Sequence, residues 1–198
     1  MDWASIINAI GVIVLGYFTY DQYSKNKITD YKLEKWKNED KALNKKRSDN
    51  SMLIFGELWE LLYKIKADRV YIVQPHPLGH EEMLTIYFEV KRRWAEPMRP
   101  HIQHKKISEV AKFASELTKN LFLFIKNIDT QVKDRYTQSI LSSCGTTNVI
   151  IKRLNDNKHD WVGSIFCEFI DEAEISEEEA KEALHKAATN IQYILPEL

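Results

Sequence analysis

The stretch from residue 4 to residue 20, A-S-I-I-N-A-I-G-V-I-V-L-G-Y-F-T-Y, carries no charge, and Asn8 is its one strongly polar side chain. Seventeen residues in a helix span about 25 Å, the short end of what crosses a bilayer core. Trp3 stands at one end and Tyr17, Tyr20 and Tyr23 at the other, where amphipathic rings suit a membrane–water interface. A cleaved signal peptide would open on basic residues and close on a small-x-small site. This chain opens on Met1-Asp2-Trp3, and its apolar run leaves through Gly-Tyr-Phe-Thr-Tyr. A buried core helix is the other alternative. The reading adopted is a single-pass anchor over residues 1–23, with the lipid bilayer as its partner.

The flanks set the orientation. Lys25, Lys27, Lys32, Lys35 and Lys37 follow the run, and no Lys or Arg precedes it. Positive charge stays in the cytoplasm, so the N-terminus is expected outside and the chain from about residue 24 inside a bacterial cytoplasmic membrane. The same lysines are placed to touch anionic headgroups. Residues 24–50 are charged, free of Pro and Gly, and rich in helix formers, which predicts a helical stalk, single or paired with a second copy. A folded domain is expected over 51–198.

Charge is nearly balanced, 28 Lys+Arg against 29 Asp+Glu, so no global field recruits nucleic acid, and no nucleic-acid partner is expected. Two cysteines, Cys144 and Cys167, do not make a disulfide framework and are read as small buried hydrophobes in a reducing compartment.

Within the domain, Met52, Phe55, Leu58, Trp59, Leu62 and Ile65 recur at threes and fours and predict a helix that starts after the Ser48–Ser51 polar cluster. Arg69–Val73 is a short β-branched strand, which Pro75 and Pro77 are expected to stop, leaving Q-P-H-P-L-G-H-E-E on a loop. A second strand is expected over Leu84–Val90. Residues 95–106 read as irregular, Ile107–Asn120 as helix, Leu121–Ile125 as strand and Val132–Ser143 as helix. Val149–Leu154 and Trp161–Phe169 are two strands, with Gly163 marking a bulge or a close backbone approach. Ser176 and Glu179 have the spacing of a capping box at the head of a last helix, and Glu177–Glu179 suit its positive end.

This order resembles a GAF domain, the sensor module related to PAS. The likeness rests on the amphipathic helix running into A-D-R-V-Y-I-V, on S-I-L-S-S-C-G-T-T-N-V-I-I-K-R-L, and on W-V-G-S-I-F-C-E-F before the closing helix. It covers about residues 50–195. It implies an α+β fold: an antiparallel sheet with the first and last helices on one face and a pocket on the other, preceded here by the transmembrane helix and stalk. It also implies a homodimer through the Met52–Lys66 and Glu177–Leu195 helices. No cysteine is placed for a covalent tetrapyrrole and there is no N-K-F-D-E-like signature, so no cofactor is expected.

Tyr71, His76, His80, Tyr87, Glu89, Arg153 and Trp161 are the candidate ligand-side residues. His76, His80, His101 and His104 form a minor candidate set for a metal such as zinc, although Pro77 and Gly79 break any helical spacing. No G-x-S-x-G elbow or phosphate loop occurs, and no enzymatic activity is expected. The expected function is a membrane-anchored sensor or adaptor, binding a small molecule or a partner protein at the cytoplasmic face. The alternative is a structural inner-membrane interaction protein, phage-encoded for example, with no ligand pocket.

Overall fold

The computed structural model describes the backbone of residues 3–196, and side chains at Lys27, Lys32 and from Glu34 onward. The side chains of the anchor segment 4–20 lie outside this range. Among the described residues, no helix is long and apolar enough to cross a membrane. The chain divides into two compact units, Met1–Ser48 and Asp49–Leu198. The first is helical throughout its described backbone, and every described side chain from Glu34 to Asp49 is exposed.

Helix α1 spans Trp3–Lys64 without a break, where the sequence predicted a fresh start after Ser51. The reason is local. No Pro or Gly lies between Gly16 and Gly56, and Ser, Asp and Asn cost a helix interior only a few tenths of a kcal/mol each. Asn50 does not cap a new helix; its side-chain nitrogen donates to the Ile194 carbonyl at 3.1 Å.

The second unit is built on a six-stranded antiparallel sheet in the order β3-β2-β1-β6-β5-β4. The strands are β1 (Arg69–Leu78), β2 (Glu81–Lys91), β3 (Lys105–Lys106), β4 (Phe122–Ile125), β5 (Asn148–Asn155) and β6 (Trp161–Phe169). Helices α2 (Ala111–Lys119), α3 (Ile128–Gln131), α4 (Arg135–Ser143) and α5 (Glu177–Ile191) complete it. The helix predicted over Val132–Ser143 begins only at Arg135, and Val132–Asp134 link it to the short α3. Asn127 caps α3 and Asp134 caps α4, each accepting from a backbone N–H three residues on. The capping box of Ser176 and Glu179 forms at the head of α5 as its spacing predicts.

β1 does not stop at the prolines. It continues to Leu78, with Pro75 opposite Leu84 and Pro77 opposite Glu82, and the turn falls at Gly79-His80. The other neighbour, β6, leaves β1 after the Val73–Ser164 pair. Beyond that point, among the described residues, no strand pairs with this edge of β1. A proline whose backbone faces a free edge removes no ladder bond, so the strand tolerates both. Gly163 marks a close approach: a Cβ there would stand 2.9 Å from the Val73 carbonyl oxygen.

Alternation along the strands makes two cores. On one face, Val70, Ile72, Ile165 and Cys167 pack beneath α5 and the C-terminal turns of α1, through Ile54, Leu58, Leu62, Leu184 and Ile191. On the other, Tyr71, Val73, Ile151 and Phe166 meet Val110, Phe113, Leu117 and Leu141 from the middle segments. A bulge at Tyr87 breaks the alternation of β2: Ile72 pairs with Phe88 and Val73 with Ile86, leaving Tyr87 unmatched. Leu84 and Ile86 therefore face the second core, and Phe88 and Val90 the first.

Candidate functional site

The face opposite α1 and α5 holds a small, wholly apolar cavity of about 40 Å³ between the sheet and α2 and α4. Tyr71, Val73 and Phe166 form its floor, and Phe113, Leu117, Ile140 and Leu141 its walls. Ile102, Lys105 and Tyr136 stand at its mouth. The Lys105 ammonium lies 4.0 Å from the centre of the Tyr136 ring. It is also paired with Glu109, and the Glu109 hydrogen bond raises its pKa, which keeps it a cation rather than a base.

Beneath the cavity floor runs a buried polar network. Arg69 and Glu168 are both fully buried and face each other on β1 and β6. Arg69 Nε donates to Glu168 Oε2 at 2.8 Å, and its terminal nitrogen comes within 2.6 Å of the same oxygen. The guanidinium also donates to the carbonyls of Glu96 at 2.9 Å and Cys144 at 3.0 Å, and to the Thr146 hydroxyl. Thr146 and Tyr71 both donate their hydroxyls to Glu168. Burial, and then the neighbouring Glu168 charge, push the Tyr71 phenol well above its ordinary pKa. Every donor of the fork has a partner, so the network fastens the α4–β5 turn to the sheet and leaves no group for a ligand.

The predicted site residues are scattered. Tyr71 lines the cavity. Tyr87, displaced by the bulge, packs against the opposite core. Glu89 is used up by the backbone N–H groups of Met98 and Arg99. Arg153 is held by Asn155 and by the carbonyls of Thr118 and His159. The Trp161 indole donates to Ser164 at 3.0 Å. His76 and His104 do come together, Nε2 to Nδ1 at 3.3 Å, and both His76 Nε2 and the His104 backbone meet the Thr85 hydroxyl. His80 sits exposed in the hairpin turn and His101 exposed on a short 3-10 turn. Among the described residues, no group of three or more His, Cys, Asp or Glu is placed to hold a metal.

Sequence reasoning missed the cavity-lining residues Phe113 and Phe166, and the Arg69–Glu168 pair. The pair had a signal: a lone Arg and a lone Glu within two otherwise apolar strands.

No family model and no curated protein matches the sequence. Solved structures do match. A far-red cyanobacteriochrome photoreceptor superposes with a TM-score of 0.60 at 12% identity, covering 82% of this chain and 95% of the other. The blue-light absorbing form of the PixJ GAF domain of Thermosynechococcus elongatus gives 0.58 at 10% identity, over 75% and 86%. A phycocyanobilin-bound GAF domain from a cyanobacterial phytochrome gives 0.57 at 16% identity, over 73% and 82%. The fold is GAF-like.

This cavity does not fit a bilin. Pockets for sizeable ligands hold roughly 300–1,000 Å³, and this cavity holds about 40 Å³, room for one or a few waters. Neither cysteine lines it. Cys144 and Cys167 are both buried, Cys167 belongs to the opposite core, and burial raises the pKa of each thiol, which disfavours the nucleophilic thiolate.

Proposed function

We propose that this chain is a membrane-anchored, non-enzymatic GAF-like sensor or adaptor that works through protein contact at the cytoplasmic face. The anchor is the uncharged run 4–20, with its lysines on one side. The observation that carries the reading is an apolar stripe on the outward side of α1. Met52, Phe55, Trp59 and Tyr63 are 69%, 38%, 41% and 59% exposed, although the inward side of the same turns is buried against the sheet and α5. Trp59 and Tyr63 stack at 5.8 Å. Beside the stripe, α5 is tied to α1 by Lys186–Glu60 and Asn190–Glu57 bonds, each 2.9 Å. The stripe is a seam for a second copy, with the Met52–Lys66 and Glu177–Leu195 helices forming the dimer bundle.

A second reading, a structural inner-membrane interaction protein without a ligand, is favoured by the cavity, which the domain's own side chains nearly fill.

The test is disulfide crosslinking of the full-length chain in isolated membranes with Trp59→Cys. The expected result is a crosslinked dimer that stays in the pellet after alkaline washing. A chain released by the wash, or a monomer that does not crosslink, overturns the proposal. The intact mass of the purified dimer separates the two readings: a bound small molecule speaks for the sensor, a bare chain for the structural protein.

A further inference from the structure

Strand β4 pairs with β5 on one side, and among the described residues no strand pairs with its other side. The register shows which backbone groups that outer edge presents. Phe122 stands opposite Lys152, and the Arg153 N–H donates to the Leu121 carbonyl at 3.2 Å. In an antiparallel ladder that bond turns Leu121, Leu123 and Ile125 toward β5, so the N–H and C=O groups of Phe122 and Phe124 point outward. None of these outward groups has a hydrogen-bond partner among the described residues. Phe122–Ile125 carries no Pro, Gly or charged residue that would blunt the edge, and Leu121 beside it is 58% exposed.

The side chains along this edge differ between the two faces. Phe122 and Phe124 lie on the α1/α5 face, half-buried, and Lys152 of β5 pairs with Phe122 there. The Lys126 ammonium stands 5.8 Å from the centre of the Phe124 ring. Burial, and then the charge of Lys181 on α5, lower the pKa of Lys152, and no carboxylate stands close enough to raise it again. Among the described residues, none of these three lysines takes part in an ion pair. The α5 side of the edge is therefore cationic. On the cavity side, Leu121 and Leu123 offer apolar surface instead.

We propose that β4 accepts an extended segment of a partner protein as an added antiparallel strand, with acidic side chains on the α5 face and apolar ones on the cavity face. The residues opposite Phe122 and Phe124 share their face and exchange backbone bonds with them. The acids that meet Lys126, Lys152 and Lys181 are thus the residues whose N–H groups seat the strand. A slip of one residue would turn those acids onto Leu121 and Leu123, so the charge pattern also sets the register. A second copy of β4 in this place would bring the same three lysines to the same seam, and like charges oppose that. The edge shares no residue with the stripe Met52, Phe55, Trp59 and Tyr63, so it does not depend on the dimer reading.

The probe is an acetylated hexapeptide of alternating Glu and Val. Its controls are the same peptide with Lys for Glu, and a block peptide with all the Glu before all the Val. Binding to the purified full-length chain is followed by ligand-observed NMR titration. The alternating acidic peptide is expected to bind at least about tenfold more tightly than either control, and to weaken as salt is added. N-methylation of its Glu nitrogens should abolish binding, and N-methylation of its Val nitrogens should leave it, because only the Glu N–H groups face β4. Lys126→Glu combined with Lys181→Glu, both at exposed positions, should turn the preference toward the lysine peptide and leave the melting temperature unchanged. No binding of the alternating acidic peptide, equal binding of the block peptide, loss of binding on Val methylation, or a preference that survives the double variant overturns the proposal. Crosslinking of Leu121→Cys copies to one another would give the edge to a second copy and overturn it too.

Discussion

The two faces of the sheet are built in different ways. The α1/α5 face is closed by two long amphipathic segments, whose small residues Ala180, Ala183, Ala187 and Ala188 let them pack closely. The opposite face is closed by short pieces, α2, α3 and α4 with irregular chain between them, and it encloses both a void and a buried ion pair. Long helices close a face by repetition. Short ones need specific polar fastenings, and Arg69–Glu168 is the fastening here.

The largest effect should come from breaking it. Glu168→Gln or Arg69→Met alone leaves a buried charge without its partner and should cost about 3–5 kcal/mol in urea unfolding. The double variant Arg69→Met with Glu168→Leu should recover much of that loss. If the single variants are mild, the cavity face does not depend on the pair.

Both faces also bury titratable groups whose charged forms are disfavoured, Cys167 under α1/α5, and Tyr71 and Cys144 on the cavity side, with Cys167 and Tyr71 the more strongly shifted. Burial raises both pKa values well above normal, so above the unfolded pKa the unfolded chain releases a proton that the native chain keeps. Stability therefore falls as pH rises past about 8.5 for the thiol and about 10 for the phenol, each with a slope of about 1.4 kcal/mol per pH unit. Cys167→Ala should remove most of the earlier onset, leaving the smaller contribution of Cys144, and Tyr71→Phe should remove the later one, as read from melting temperatures between pH 7 and 11.

One or two added carbons sharpen the contrast in packing. Ala183 is 3% exposed between tightly packed helices, and enlarging it to Val should cost about 1–3 kcal/mol. Val110 borders the void, and Val110→Ile should be neutral or stabilising by up to about 1 kcal/mol. Equal losses at both positions would mean that the faces are equally tight.

The smallest effect belongs to the exposed pairs. Hydrogen bonds with Lys66 and Lys186 lower the pKa values of Glu174 and Glu60 and raise those of the lysines. Their contribution is present above the ordinary carboxylate pKa, fades as pH falls through the lowered values, and is lost again at high pH as the lysines deprotonate. Charge reversal at Glu174 should change the melting temperature only slightly, since exposed pairs contribute little and are screened by salt.

The contrast also explains what the sequence made legible. The α1/α5 face announces itself through periodicity: Leu58, Leu62 and Ile65, then Ala180, Leu184 and Ile191. The element order follows from such patterns, and the split into helix-covered and cavity faces was implied only by the resemblance of that order to a GAF domain. The site does not. Tyr87 and Glu89 were assigned to one side by strict alternation, and the bulge at Tyr87 sends them to opposite sides. His76 and His104 meet because β1 runs through two prolines, which is a property of the neighbouring strand's length and not of the local sequence.

The free edge of β1 carries one further consequence. Pro75 and Pro77 have no N–H to give β2, so theirs are the backbone positions that face outward beyond Val73. An exposed strand edge is ordinarily a template on which other chains pair and aggregate. Here both outward positions lack an N–H, so this edge of the hairpin cannot donate the backbone bonds that would seat another strand.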